Sequence, residues 1–147
     1  MVSINQIKKL REETDVSITE CQKALAETKG DVEKAKEILK KWGREVAKKK
    51  AERETYQGII DSYIHPNKKV GVILELSCET DFVAKSPDFQ ALAHELCLQI
   101  AAMPEETPLL EQPWIKDENK KVQDLVTEYI AKLGENIIIK RFTKYTL

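Results

Sequence analysis

Four residues of this 147-residue chain could ligate zinc: His65, Cys78, His94 and Cys97. His94 and Cys97 stand three apart, on one face of a helix if their segment is helical, and two imidazoles with two thiolates suit the tetrahedral preference of zinc. The compact ligand pairs of structural zinc sites are missing, however, and His65 opens a turn-forming stretch, so the spacing argues against a metal centre. Glu75, Glu79 and Asp81 offer the other possible chemistry, an acid/base pair or a divalent-cation site. No glycine-rich phosphate loop, nucleophile elbow or histidine–carboxylate pairing accompanies them. The expectation is therefore a protein with no catalytic residues, no bound metal and no cofactor.

The acidic residues belong to an unusual stretch, Glu75 to Lys85. Val70 to Leu76 reads as a buried strand, Glu79-Thr80-Asp81 as an acidic and hydroxylic turn, and Ser86-Pro87-Asp88 as a helix start. Phe82 lies between them. A phenylalanine between a strand end and a helix start either plugs the local core or projects toward a partner, and composition alone favours the plug.

Lys and Arg together number 24 against 25 Asp and Glu, a net charge of −1. Without a basic excess, direct binding to nucleic acid is not expected. The longest apolar run is far short of a membrane span and no leader-like segment opens the chain, so a soluble cytoplasmic protein is expected. Cys21, Cys78 and Cys97 are odd in number and widely spaced, which speaks for reduced, partly buried thiols.

Three helices must come first. Ser3 with Gln6, and Ser17 with Glu20, fit the capping-box pattern. Ile4, Ile7 and Leu10 follow the first start at helical spacing; Ile18, Cys21, Ala24 and Leu25 follow the second. Gly30-Asp31 closes one helix and caps the next, which carries Val32, Ala35, Ile38, Leu39 and Trp42, with Gly43 as its stop. Residues 1–43 thus read as a small three-helix binding unit packed around Trp42. The turn Val16-Ser17-Ile18 is either a hydrophobic staple or an exposed contact.

Residues 44–55 read as a charged connection, a helical extension or a mobile linker. Its Lys48-Lys49-Lys50, interleaved with glutamates, fits a solvated face.

Residues 56–147 read as an α+β domain. Two strand-like runs, Gly58 to His65 and Val70 to Leu76, flank the turn Pro66-Asn67-Lys68-Lys69 and predict an antiparallel hairpin. A helix follows Pro87 with Phe89, Leu92, Ala93, Leu96, Ile100 and Met103. Pro104, Pro108 and Pro113 mark a loop anchored by Leu109, Leu110 and Trp114. Val122, Leu125, Val126, Tyr129, Ile130 and Leu133 give a second helix, stopped by Gly134, and Asn136 to Tyr145 a third strand. The spacing predicts one three-stranded antiparallel sheet covered on one face by helices.

Two motifs in this order resemble a known family. Leu10-Arg11-Glu12-Glu13-Thr14, Ser17-Ile18, Lys23-Ala24-Leu25 and Gly30-Asp31 form one; Glu75-Leu76 with Cys78-Glu79-Thr80-Asp81-Phe82-Val83-Ala84-Lys85 forms the other. Tyr63-Ile64-His65, Leu110-Glu111-Gln112-Pro113, Gly134-Glu135-Asn136-Ile137 and Arg141-Phe142 extend the likeness over nearly the whole chain. The pattern resembles translation elongation factor Ts. That resemblance implies a helical domain of ubiquitin-associated type joined to an α+β core, and guanine-nucleotide exchange on elongation factor Tu. It further implies that Thr80, Asp81, Phe82 and Val83 form a wedge that disturbs the magnesium and phosphate site of the GTPase. Arg11, Ile18, Thr19 and Lys23 of the helical unit would grip the nucleotide-binding domain, and the likeness to short family members, which carry a single set of core elements and form homodimers, implies a homodimer. The alternative is a ubiquitin-associated-type binding module on an inert scaffold. Four positions depart from the family pattern: Gln22 stands for a common lysine, Asp15 and Ser17 for frequent glycines, and Ser77 for a usual asparagine.

Overall fold

The computed structural model describes residues 2–147. It begins with α1 (Ile4–Thr14), α2 (Ile18–Glu27) and α3 (Val32–Lys50). Ser3 starts α1 as expected: its hydroxyl accepts from the Gln6 amide and the Gln6 side chain accepts from the Ser3 amide. Ser17 and Asp31 cap α2 and α3 by accepting from the amides of Glu20 and Lys34.

Leu10, Cys21, Ala24, Leu25, Ala35 and Leu39 form the buried core of this unit, with Ile7, Val16 and Ile38 packed around it. Ile4 and Ile18, counted among the helical stripes, are exposed instead. Val16 therefore turns inward at the α1–α2 turn while Ile18 faces out. Asp15 ends α1 at φ 57°, the left-handed conformation that short polar side chains tolerate, so the turn needs no glycine there.

Gly43 does not stop α3, which runs on for seven more residues to Lys50. A glycine interrupts a helix only when nothing else supports it, and here tertiary packing does: Gly43 is buried, and a Cβ on it would stand 3.7 Å from the Cβ of Ala131. Trp42, expected at the centre of the helical core, is only half-buried and lines a cleft between α3 and the last helix.

The second half holds β1 (Gln57–Ile64), β2 (Val70–Cys78), the four-residue α4 (Asp81–Ala84), α5 (Pro87–Ala102), β3 (Pro113–Trp114), β4 (Asp117–Lys121), α6 (Val122–Leu133) and β5 (Ile137–Thr146). The sheet has the order β1-β2-β5, antiparallel throughout. Central β2 sends Val72, Leu74 and Leu76 to the helix-covered face. There they join Phe89, Leu92, Ala93, Leu96 and Ile100 of α5 and Val122, Leu125, Val126 and Ile130 of α6. Ala47 packs against this same core, so the far end of α3 is seated on the α+β half. The small β3–β4 ribbon was not anticipated, because two residues of β3 carry no periodicity to read. Leu109 is buried as expected; Leu110 is exposed.

Among the described residues, no helix covers the opposite face of the sheet. Ile60 and Ile64 of β1, Ile73 of β2 and Tyr145 of β5 stand exposed there, each more than half accessible. Among the described residues no helix is long and apolar enough to cross a membrane.

Two glycines give predictions of opposite sign. A Cβ on Gly58 would sit 2.1 Å from the Leu76 carbonyl oxygen, so Gly58→Ala should cost about 3 kcal/mol or more. Gly43 has room for a methyl group at ordinary van der Waals distance, so Gly43→Ala should stabilise by up to about 1 kcal/mol. Urea denaturation of the two variants checks both; a destabilised Gly43→Ala protein would contradict the packing described at the helix crossing.

Candidate functional site

The loop after β2 is built by capping. Thr80 has extended backbone and its Oγ1 accepts the Val83 amide at 3.2 Å, which starts α4. One turn later the Lys85 amide donates to the Asp81 carbonyl, and the Ser86 amide to that of Val83. Ser86 then caps α5, with Pro87 in the first turn where its missing amide costs nothing. The chain between sheet and helix is thus a rigid pair of capped turns.

Side chains of α4 divide by its helical phase. Val83 and Ala84 are buried in the core, whereas Asp81 and Phe82 point out. Phe82 is 86% exposed, so it does not plug the core, as composition alone suggested. Asp81 pairs with Lys85 at 2.8 Å, and that hydrogen bond raises the Lys85 pKa. The anticipated wedge therefore resolves into three roles: Thr80 caps, Val83 anchors, and Asp81 and Phe82 are presented to solvent.

Beneath the loop lies a polar network that periodicity could not reveal. Glu135 Oε1 accepts from the amides of Glu79 and Thr80 at 3.1 and 3.0 Å, and its Oε2 accepts from the Thr80 hydroxyl at 2.7 Å. In return the Asn136 amide donates to Glu79 Oε2 at 2.6 Å. Asn136 Nδ2 donates to the carbonyls of Ala51 and Arg53, and Arg53 pairs with Glu79 at 3.5 Å. Gly134-Glu135-Asn136, singled out only as part of a resemblance, thus joins the end of α3 to the exposed turn. The signal available beforehand was a Glu-Asn pair directly after a helix-stopping glycine.

Ser77 is satisfied in the same region. Its hydroxyl donates to the Ile138 carbonyl at 3.2 Å and lies 2.8 Å from the Thr55 hydroxyl, both residues being buried. With its own proton committed to Ile138, Ser77 accepts from Thr55, and the strand end is held without an asparagine.

On the helical unit, Arg11 lies in the last turn of α1 and Ile18 and Thr19 in the first turn of α2, so all three border one exposed turn. Lys23 is exposed further along α2 and pairs with Glu20 at 3.5 Å. Gln22 is also exposed. Lys132 of α6 reaches Asp15 in that turn and Asp88 of α5, each at 3.4 Å, tying the helical unit to the α+β half.

The four zinc candidates are not assembled. His65 and His94 are exposed, with His65 Nδ1 3.0 Å from the Tyr63 hydroxyl, while Cys78 and Cys97 are buried. The Cys78 thiol donates to the Thr80 carbonyl at 3.2 Å. Among the described residues no three His, Cys, Asp or Glu side chains are placed to hold a metal ion.

Comparison with known proteins supplies the context for this loop. A family model described as Elongation factor TS matches residues 79–147, a span that opens at the turn itself. Elongation factor Ts of Thermotoga neapolitana is 42% identical over 189 aligned positions, covering 98% of this chain and 96% of that protein. Elongation factor Ts of Coprothermobacter proteolyticus is 40% identical, covering 99% and 98%, and that of Thermosipho melanesiensis 39% identical, covering 100% and 99%. The 189 aligned positions exceed the 147 residues of this chain, so these relatives carry residues with no counterpart here.

Burial first, then the negative charges of Glu135, Asp81 and Glu79, pushes the Cys78 thiol up to about 11 from an ordinary 9.0. The unfolded chain releases this proton near pH 9 and the folded chain retains it to about 11. Stability from this group is therefore intact below pH 9 and is lost as pH rises from 9 to 11. Cys78→Ala should show a shallower fall in urea midpoint across that interval than the parent protein; equal slopes would contradict the assignment.

Proposed function

We propose that this chain, which belongs to the elongation factor Ts family, acts as a guanine-nucleotide exchange factor on elongation factor Tu. The observation that carries the reading is Phe82: a large aromatic side chain 86% exposed on a four-residue helix that Val83 and Ala84 anchor in the core. Leaving such a ring in water gains the folded monomer nothing. A rigid, isolated aromatic is what a partner pocket needs as an anchor.

The mechanism follows from how a GTPase holds its nucleotide. Magnesium and the phosphate-binding loop retain GDP largely through charge, and that retention requires their supporting helices to stay in place. Phe82 enters between those helices, and Asp81 brings a carboxylate toward the magnesium site. Phosphate and metal contacts weaken and GDP leaves. Asp81 is restrained only by Lys85 on the same exposed surface, an ion pair that is easily exchanged for a partner group. Linkage makes the effect reciprocal: GDP loosens this protein's grip by the same factor by which this protein loosens GDP. No covalent bond is made or broken, so no catalytic group is required.

Grip comes from the helical unit, where Arg11, Ile18, Thr19 and Lys23 are all exposed. The place of action is the cytoplasm, where translation proceeds. No direct contact with nucleic acid is needed. The bare face of the sheet supports a homodimer, with Ile60, Ile64, Ile73 and Tyr145 of each copy covering those of the other.

Phe82→Ala should leave the melting temperature unchanged, because the side chain is in solvent, and should lower accelerated release of labelled GDP from elongation factor Tu at least tenfold. If the parent protein does not accelerate that release, the proposed function is wrong. Ile73→Asp should convert a dimer to a monomer in sedimentation experiments; a monomeric parent protein would overturn the dimer.

A further inference from the structure

We propose that Glu135 is the positioning residue of the exchange element, fixing the peptide units that aim Phe82. The inference rests on the exchange reading above. An exposed wedge has no packing of its own to orient it, so its direction is set entirely by the backbone on either side. On the C-terminal side Val83 and Ala84 are pinned in the core. On the N-terminal side, neither Glu79 nor Thr80 belongs to the apolar core. Their two amides and the Thr80 hydroxyl all end on one carboxylate, that of Glu135.

The Thr80 hydroxyl makes this arrangement directional. It gives its proton to Glu135 Oε2 and uses a lone pair to accept the Val83 amide. The cap that starts α4 is therefore oriented by Glu135, and Phe82 lies between the cap and the amide it captures. Charge-assisted bonds of this kind are shorter and stronger than neutral ones, which suits a part that must hold its geometry against an incoming partner.

The placement of acids also separates positioning from simple stabilisation. Glu79, Asp81 and Glu135 crowd one turn, and their charges add to the burial that raises the Cys78 thiol. Arg53 pairs with Glu79 at 3.5 Å and Lys85 with Asp81 at 2.8 Å. A neutral acceptor at 135 would satisfy the amides with less repulsion, whereas a carboxylate can receive all three donors at once. Gly134 permits the approach: at φ 75° it ends α6 and turns the chain so that residue 135 comes under the loop.

The test measures release of labelled GDP from the GTPase against rising concentrations of the full-length protein, comparing the parent with Glu135→Ala and Glu135→Gln. Glu135→Ala is expected to lower the limiting rate roughly tenfold to a hundredfold, the scale of a misplaced reacting group. The half-saturating concentration should stay within about twofold, since the gripping surface of the helical unit is untouched. Glu135→Gln, which keeps one acceptor oxygen and loses the other, should recover most of that loss but remain severalfold below the parent. A Glu135→Ala protein with the parent's limiting rate would overturn the proposal, as would a loss confined to the half-saturating concentration. Should Glu135→Ala not fold, Glu135→Gln decides alone: a lowered limiting rate at an unchanged melting temperature supports positioning and an unchanged rate refutes it. Amide hydrogen exchange at Glu79 and Thr80 needs no partner and should be faster in Glu135→Gln. Unchanged protection there refutes the brace itself, whereas a parent protein without exchange activity refutes only the functional reading on which it rests.

Discussion

The crossing of α3 and α6 at Gly43 and Ala131 is the contact on which the rest of the arrangement depends. Gly43 is buried against Ala131 there, and this contact seats α3 on the α+β half without ending the helix. Because the helix is continuous from Val32 to Lys50, one rod contributes Ala35 and Leu39 to the small helical core and Ala47 to the large one. Lys132, one residue beyond Ala131, then reaches Asp15 and Asp88 and locks the α1–α2 turn at the same junction. Two cores too different in size to merge are joined by a shared element.

The end of that rod is where the sheet half begins to be organised. Ala51 and Arg53, just past α3, give their carbonyls to Asn136, and Asn136 and Glu135 in turn hold the turn after β2. Thr55 continues the same line, bonding to Ser77 at the foot of the turn. The route from the helical unit to Phe82 is thus a run of backbone carbonyls, amides and carboxylates rather than a packed apolar interface. Such groups are costly to leave unpaired in a partly buried site, so they fix geometry more sharply than the same area of aliphatic contact would.

Much of this was legible in the chain. The hairpin of β1 and β2, the start of α5 at Ser86-Pro87 and the end of α6 at Gly134 all follow from local signals, because each element's pattern agrees with its surroundings. Gly43 was misread for the opposite reason: its local preference is to end a helix, and a partner 88 positions away in sequence overrides it. Trp42 lines the cleft with α6 instead of filling the helical core, because the surface it meets belongs to a distant part of the chain. Phe82 shows the limit of periodicity in the site itself. Whether a lone aromatic in a short turn faces in or out depends on the phase of α4, and Thr80 sets that phase through a cap. Glu135 had no pattern to betray it, because its partners lie over fifty residues away.

An unbroken α3 also changes what kind of freedom the chain can tolerate. At about 1.5 Å of rise and about 100° of rotation per residue, one residue inserted between Leu39 and Ala47 would shift the helical unit slightly but swing it through more than a quarter turn. Arg11, Ile18 and Lys23 would then be carried to a different direction relative to the α+β half that presents Phe82. A substitution along this rod alters a surface, whereas a change in its length alters the phase between two surfaces. Length in this segment consequently sets the relative orientation of the two cores, which no individual side chain can restore.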